Sequence, residues 1–220
     1  MNSIALHLEV LKSKLDGASE TVRTEIEVIA REITRLDRVV KSFLDFTRPL
    51  DLDFRPLDLV KLIEEVRMLV APEAERRKTE IVIHNDVADA GVRGDRDLLM
   101  QGILNVVVNG IDAMPQGGKL EIGVRRAGPD WLLTIRDQGG GIPGEIRDKI
   151  YNLYFTTKGR GSGIGLAMTF RVVQLHGGTI DFSSDLGRGT EFRLRLGSLK
   201  ETEPQPPPSR SSDRFAEVES

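Results

Sequence analysis

The sequence predicts an α/β fold of the α+β kind: a two-layer sandwich in which helices cover one face of a mixed sheet, preceded by an antiparallel helical hairpin. Glycine usage is the first observation, because only Gly17 of the 22 glycines in 220 residues precedes position 91. Periodicity is the second, since apolar residues recur at helical spacing in the front part and at strand spacing after position 118. We expect a partial helical hairpin at 1–50, an α/β domain at 51–199 and a disordered proline-rich tail at 200–220.

The composition narrows the possible classes of function. Hydrophobic residues make up 39% and charged residues 30%, the profile of a soluble globular chain. Cysteine is absent from the sequence, which excludes disulfides, thiolate metal sites and cysteine nucleophiles. Apolar runs fall far short of the roughly 18 residues of a membrane span, and a net charge of -3 does not favour nucleic acid. We expect a cytoplasmic segment that contacts neither nucleic acid nor membrane, although a longer protein containing it can be membrane-anchored.

The front part predicts two antiparallel helices. An apolar stripe of Ile4, Leu8, Leu11 and Leu15 ends at Gly17, a typical helix stop. The second helix carries a heptad seam formed by Val22, Ile26, Ile29, Ile33, Leu36, Val40 and Phe43. Because so narrow a stripe cannot bury itself, we expect a second copy to complete a homodimeric four-helix bundle. The alternative is that the seam packs against the domain that follows it.

The elements of the α/β domain follow in order along the chain. The first is an amphipathic helix, whose apolar pattern runs from Leu57 to Val70 and for which Asp58 can serve as N-cap. Helices are then predicted at 98–114 and 163–176, and strands at 79–84, 120–124, 131–135, 180–182 and 192–196. Strands that come in pairs, with helices between the pairs, are typical of a sheet whose helices cover one face. A doubly wound parallel sheet is less compatible with this order.

Two asparagines four residues apart, Asn105 and Asn109, share one face of an otherwise apolar helix. Asparagine is a poor helix former and is costly to bury unpaired, which favours a ligand. Neutral amide oxygens can hold a magnesium ion that already carries triphosphate oxygens. The alternative is a polar stripe satisfied by neighbouring backbone. Gly102 and Gly110 interrupt the same helix, and the sequence accounts for Gly110 only as a point of close packing.

Two glycine-rich segments are typical of a place where the backbone approaches a ligand. Asp137 closes a predicted strand and precedes Gly139 and Gly141, so its carboxylate can accept a hydrogen bond from an exocyclic amine such as that of adenine. Residues 159–165 carry four alternating glycines into a helix start that can face an anion, with Lys158 adding positive charge. The Walker motif is absent from the sequence. Each segment alone is also compatible with an ordinary strand end or surface loop.

In this order the segments resemble the catalytic domain of sensor histidine kinases, within the ATPase superfamily shared with gyrase, the ninety-kilodalton heat-shock chaperone and MutL. The asparagine helix is similar to the N box of that family. The other similar segments are the first glycine box at 137–142, the F box at 155–158, the second glycine box at 161–166 and the closing glycine-threonine strand at 189–192. Residues 36–49 are similar to the end of the family's dimerisation hairpin, and the whole resemblance covers about 3–198.

The resemblance implies a domain that binds ATP and Mg²⁺. It makes Asn109 the magnesium ligand, Asn105 a phosphate contact and Asp137 the residue that reads adenine. It also makes Lys158, with the loop at 159–165, the clamp on the γ-phosphate. The implied nucleotide-binding set is Asn105, Asn109, Asp112, Asp137, Gly139, Gly141, Ile142, Phe155, Thr157, Lys158, Gly161, Ser162, Gly163, Gly165, Leu166 and Thr190.

The resemblance further implies transfer of the γ-phosphoryl group to a histidine, for relay to an aspartate of a response regulator. The family's acceptor is followed by an acidic residue and, five positions on, by proline. His7 is followed instead by leucine and has lysine at the fifth position. His84 falls in a predicted strand, and His176 falls at a helix end, where an imidazole serves as a cap or a helix-terminus cation. We therefore expect the acceptor to be encoded upstream of Met1, in a truncated kinase that does not phosphorylate itself in cis.

Asn105 bears on the competing hypotheses. In the superfamily members that activate water, the matching residue is usually a glutamate that acts as general base, a role a carboxamide cannot perform. Asn105 therefore favours transfer to an acceptor over hydrolysis. The alternatives are a conformational ATPase of the gyrase or MutL type, and an anti-sigma-type serine kinase, which normally lacks a preceding hairpin. A non-binding scaffold is disfavoured by Asn109, Asp137 and the loop glycines.

Overall fold

The computed structural model describes residues 52–158 and 161–199, together with several positions between 22 and 33. Those positions are helical, in the segment where the heptad pattern predicts the second helix of the hairpin. The rest of the predicted hairpin and the proline-rich tail at 200–220 lie outside the described residues. Within the described part of the chain, no helix has the length and apolar character needed to cross a membrane.

Three helices and seven strands form the described domain. The helices are α1 (Leu59–Arg76), α2 (Arg96–Asp112) and α3 (Gly165–Leu175), with a short 3₁₀ turn at Gly144–Lys149. The strands are β1 (Arg55–Asp58), β2 (Thr79–Asn85), β3 (Gly91–Gly94), β4 (Gly118–Ala127), β5 (Asp130–Arg136), β6 (Thr179–Asp185) and β7 (Gly189–Gly197). A five-stranded sheet has the order β2-β4-β5-β7-β6, and β1 pairs with β3 in a small second sheet.

The large sheet is mixed and its inner face packs against the helices, which confirms the predicted fold class. Strands β2 and β4 run parallel, whereas the other neighbours are antiparallel. Alternate residues of the central strands, such as Ile122, Leu133 and Leu194, point inward and are fully buried. They meet Ile63 of α1 and Ile103 of α2 in one hydrophobic core. This packing fixes α2 across the sheet and so positions the two asparagines.

The start of α1 differs from the prediction. Asp58 is its N-cap, as predicted, because the side-chain Oδ1 accepts the Val60 N–H at 3.0 Å. Leu57 lies in β1 rather than in the helix. Strands β1 and β3 were not predicted, because each has only four residues and too few apolar positions to show alternation.

The other two helices begin at positions that their backbone chemistry explains. The Asp95 carboxylate accepts the N–H groups of Asp97 and Leu98, so α2 starts two residues before the predicted Leu98. Helix α3 starts at Gly165 and not at the predicted position 163. Gly163 has a φ of +69°, a left-handed conformation that a right-handed helix cannot contain.

His176 connects the end of α3 to the start of α2. Its Nδ1 lies 2.7 Å from the carbonyl oxygen of Val172, and its Nε2 accepts the N–H of Asp95 at 2.9 Å. Because one ring nitrogen donates and the other accepts, the imidazole is a neutral cap and not the helix-terminus cation. Phe54 packs edge-on against the same ring, with centroids 5.0 Å apart. A Cβ on Gly94 would lie 2.6 Å from His176 Cδ2, so glycine at this position makes room for the ring.

The His176→Ala substitution leaves the Asp95 N–H without its acceptor. We expect it to lower the free energy of unfolding by about 1–3 kcal/mol in urea denaturation at neutral pH. His84→Ala is the matched control, because His84 is 59% exposed, and it should change stability by at most about 0.5 kcal/mol. Equal effects of the two substitutions would contradict the capping role of His176.

Candidate functional site

Helix α2 presents three polar side chains at spacings of four and three, which places them along one face. Asn105, Asn109 and Asp112 are all partly buried. The Asn105 side-chain amide donates to the carbonyl oxygen of Gly165 at 3.2 Å, at the first residue of α3. The structure therefore brings Asn105 into contact with the second glycine segment.

Lys158 joins this face from the segment after the 3₁₀ turn. Its Nζ donates to Asn109 Oδ1 at 2.7 Å and to Asp112 Oδ2 at 2.9 Å. The Asp112 carboxylate is also held from the other side, because Arg77 Nη2 donates to its Oδ1 at 3.0 Å. Asn109 and Asp112 thus offer hard oxygen donors at a spot that already faces positive charge, the donor chemistry that Mg²⁺ prefers.

Asp137 is the buried carboxylate of the site, with only 5% of its surface exposed. Its Oδ1 accepts the N–H groups of Gly139 at 2.8 Å and Thr190 at 3.2 Å. Burial raises the pKa of Asp137 above its ordinary value, although these two N–H donors and the charge of Lys158 oppose the shift. Within the described residues, no hydrogen bond engages Oδ2, so this oxygen remains an acceptor for a ligand.

The first glycine segment packs backbone against backbone. A Cβ on Gly139 would lie 2.6 Å from the carbonyl oxygen of Ala113, just after α2. Gly141 has a φ of +74°, and any side chain there would overlap the carbonyl of Asp185. Gly189, with a φ of +96°, approaches the carbonyl of Asp137 in the same way. Gly189 begins the closing glycine-threonine strand of the resemblance, and its close contact fixes the Asp137 backbone.

A small polar cluster secures the end of that segment. The N–H of Ile142 donates to Ser184 Oγ at 2.7 Å, and Ser184 Oγ also lies 2.9 Å from Thr190 Oγ1. Arg147 hydrogen-bonds the carbonyl oxygen of Ser184. Ser184 is absent from the predicted site. The strand alternation could have indicated it, because Ser184 follows Ile180 and Phe182 at the inward positions of β6, where a hydroxyl needs a hydrogen-bond partner.

The F-box segment and the second glycine segment are also in close contact. Gly163 lies so near the backbone of Tyr154 that a side chain there would overlap it, and the N–H of Gly161 donates to the Lys158 carbonyl at 3.1 Å. Phe155 and Leu166 pack partly buried against the core. Ser162 Oγ accepts the N–H of Ile164 at 3.4 Å. Thr157 is exposed, and none of the described hydrogen bonds connects it to the other predicted site residues.

Gly110 has a structural reason that the sequence does not supply. A Cβ at this position would lie 2.6 Å from Leu120 Cδ1 and 3.5 Å from Asp137 Cβ. Leu120 is fully buried and has little room to move. Glycine therefore lets α2 approach β4, and this approach places Asp137 directly beside the residue that follows Asn109. At Gly102, by contrast, the nearest atom to such a Cβ is 3.5 Å away, an ordinary contact with Val172.

The comparison with known proteins decides which family this site belongs to. Residues 94–199 match the family model described as "Histidine kinase-, DNA gyrase B-, and HSP90-like ATPase". Sensor histidine kinase ZraS of Escherichia coli K12 is 35% identical over 170 residues, which are 77% of this chain. The chain carries the ATP-binding core of a histidine kinase. It spans only 37% of the length of ZraS.

Solved structures agree with this assignment of the histidine kinase core. The catalytic domain of histidine kinase ThkA superposes with a TM-score of 0.62 at 28% identity, covering 66% of this chain and 95% of that domain. ThkA in complex with the response regulator protein TrrA gives a TM-score of 0.70 at 27% identity, covering 91% of this chain and 58% of that one. The gyrase-type alternative is not favoured, because the similar full-length proteins are sensor histidine kinases.

The two glycines of α2 give a paired test of the packing in this histidine kinase core. Gly102→Ala should raise the free energy of unfolding by up to about 1 kcal/mol, because alanine favours helix and the space is open. Gly110→Ala should lower it by about 1–3 kcal/mol, because Leu120 must shift in a packed interior. Chemical denaturation of both variants measures the two changes. If Gly110→Ala is as stabilising as Gly102→Ala, the close approach of α2 to β4 does not require glycine.

The raised pKa of Asp137 predicts a direction of pH dependence. A group with a higher pKa in the folded state stabilises the fold below its unfolded pKa and loses that contribution as the pH rises through the folded pKa. The stability of the wild type should therefore fall relative to Asp137→Asn as the pH rises through that window, and the difference should then stay constant. Urea denaturation of both proteins across a pH series measures it. A difference that runs the opposite way would mean that the Gly139 and Thr190 donors outweigh burial.

Proposed function

We propose that this core binds Mg²⁺–ATP and transfers the γ-phosphoryl group to a histidine of a dimeric helical bundle, for relay to an aspartate of a response regulator. The observation that carries the proposal is the convergence of Asn109, Asp112 and Lys158 on one spot beside the buried Asp137. Such a site suits a ligand that has a base at one end and a charged phosphate tail at the other. Asp137 would meet the base, and Asn109, Asp112 and Lys158 would meet the phosphate tail with its metal ion.

Asp137 reads the adenine in this proposal. Its Oδ1 is engaged by two backbone N–H groups, which leaves Oδ2 as the acceptor for the exocyclic amine. Gly139 and Gly141 carry no side chains that would occupy the place of the base. The hydrogen bonds from the Ile142 N–H to Ser184 and from the Thr190 N–H to Asp137 fix the backbone on either side. A buried carboxylate with a single remaining acceptor recognises an amine strongly, because an unpaired partner would be costly.

Asn109 is the proposed magnesium ligand, with Asp112 next to it. These residues fit a metal ion because their oxygens already bind a cation. The Lys158 ammonium donates to the amide oxygen of Asn109 and to a carboxylate oxygen of Asp112. Asn109, with Asp112 beside it, would hold the ion, and Mg²⁺ would supply positive charge that neutralises the phosphate. Asn105 faces the start of α3 and contacts phosphate through its amide.

The start of α3 forms the phosphate end of the site. Aspartates cap both α1 and α2, whereas α3 begins at Gly165 without a side-chain cap. Uncapped N–H groups at a helix start suit an anion. The predicted contacts from this segment are Phe155, Thr157, Gly161, Ser162, Gly163, Gly165 and Leu166, and Lys158 is the clamp on the γ-phosphate.

The position of Asn105 supports transfer over hydrolysis. Its Nδ2 donates to the carbonyl oxygen of Gly165, so a carboxylate there would meet another oxygen instead of a proton source. A carboxamide also cannot take a proton from water. The acceptor imidazole supplies its own nucleophile: an unprotonated ring nitrogen bonds to the γ-phosphorus as the bond from that phosphorus to the ADP oxygen breaks. The ring then releases its remaining N–H proton.

Partners and location complete the proposal. The heptad seam supports a homodimer through the hairpin. The complex of ThkA with TrrA supports a response regulator receiver domain as the partner that takes the phosphoryl group. Because the reaction consumes ATP, we place this core in the cytoplasm. In this proposal neither His84 nor His176 is the acceptor, because His84 lies on β2 and His176 is a neutral cap. The acceptor histidine belongs to a segment outside the described domain.

The direct test supplies the acceptor in trans. We expect label from γ-labelled ATP to appear on a separate helical bundle that carries the acceptor histidine, in the presence of Mg²⁺. The control for transfer is the same bundle with its acceptor histidine replaced by glutamine. In a separate binding measurement, Asn109→Ala should abolish the gain in nucleotide affinity that Mg²⁺ provides. Nucleotide binding without transfer would overturn the kinase proposal. Steady phosphate release without any acceptor would favour the conformational ATPase, and a wild type that does not bind ATP would favour a non-binding scaffold. Unchanged ATP affinity in Asp137→Asn would mean that Asp137 does not read the adenine.

A further inference from the structure

The structure assigns Arg77 as a positioning residue for this site, an inference that rests on the proposed function. Arg77 follows the last turn of α1, outside every glycine or asparagine segment. Its Nε donates to Glu73 Oε1 at 2.9 Å, and its Nη2 donates to Asp112 Oδ1 at 3.0 Å. The other oxygen of Asp112 accepts Lys158, which also holds Asn109. One chain of alternating charges therefore runs from α1 to the magnesium ligand.

Asp112 needs this partner because it is a carboxylate at the phosphate end of an ATP site. It is partly buried, with 29% of its side chain exposed, so solvent screens its charge only in part. An unneutralised carboxylate there would repel the triphosphate. Arg77 and Lys158 neutralise it from opposite sides, one on each oxygen.

The two cations have different tasks once nucleotide binds. Lys158 would release Asn109 and Asp112 to reach a bound phosphate, which would leave the Asn109 oxygen available to Mg²⁺. Arg77 stays in place, because it is fixed by Glu73 one helical turn earlier. Asp112 thus keeps a positive partner after Lys158 has moved. Without Arg77, Asp112 would hold Lys158 more tightly and would also repel the incoming phosphates.

Arg77 is a favourable residue to test, because its loss should spare the fold. Its side chain is 32% exposed, and ion pairs of this kind add little to folding stability. Arg76 is the matched control: it is 69% exposed and hydrogen-bonds Glu73, but it acts on Asp112 only through space and not through a described hydrogen bond. Substituting either arginine with glutamine removes one positive charge at neighbouring positions of the chain.

The experiment is a double-mutant cycle on the affinity of the full chain for a non-hydrolysable ATP analogue with Mg²⁺. Arg77→Gln should weaken binding about fivefold, the size expected for a partly exposed charge pair. In an Asp112→Asn background the same substitution should change affinity less than about twofold, because the charge to be neutralised is gone. Arg76→Gln should stay within about twofold of the wild type, and Arg77→Lys should recover most of the loss. Thermal unfolding of each variant checks the fold.

Three outcomes would overturn the role of Arg77. Equal losses from Arg77→Gln in the wild-type and Asp112→Asn backgrounds would mean that it does not act through Asp112. An equal loss from Arg76→Gln would mean a general effect of charge, and an Arg77→Lys variant as weak as Arg77→Gln would refute neutralisation. Failure of the proposed function itself looks different, because the wild-type chain would then show no Mg²⁺-dependent binding of the analogue.

Discussion

Burial of the Asp137 carboxylate is the constraint on which the rest of the site depends. A buried charge is tolerated only with hydrogen-bond donors around it, and here the backbone N–H groups of Gly139 and Thr190 provide them. Gly139 lies just after β5 and Thr190 lies at the start of β7, and both segments can approach this closely because Gly139 and Gly189 carry no side chains. The hydrogen bonds of this carboxylate therefore join the segment after β5 to the start of β7.

The charged end of the site follows a different rule. Its groups are partly exposed and neutralise one another in sequence, from Glu73 through Arg77 and Asp112 to Lys158. The contacts of Lys158 can exchange at low cost because its side chain is 40% exposed, whereas Arg77 stays fixed by Glu73 and the hydrogen bonds of Asp137 are buried. The domain thus combines a rigid end, to which we assign the base, with an adaptable end, to which we assign the phosphates.

The sequence predicted most of the fold, because three helices and five strands have long apolar patterns with clear stops. It could not show strands β1 and β3, since four residues are too few for a period. It predicted Asn105, Asn109, Asp137 and Lys158 as site residues through local motifs, and the structure brings Asn109 and Lys158 into direct contact. Arg77 and Ser184 were missed because their roles arise from contacts between distant segments. No local pattern encodes such contacts.

The uncapped start of α3 has a thermodynamic consequence. A side-chain cap stabilises a helix by about 1 kcal/mol, and α1 and α2 both have one, whereas α3 does not. The domain therefore forgoes local stability at the one helix start that faces the proposed phosphate position, and the donors left free there remain for the ligand. This is a stability–function trade-off within a single helix terminus: an internal cap and a bound phosphate would compete for the same N–H groups.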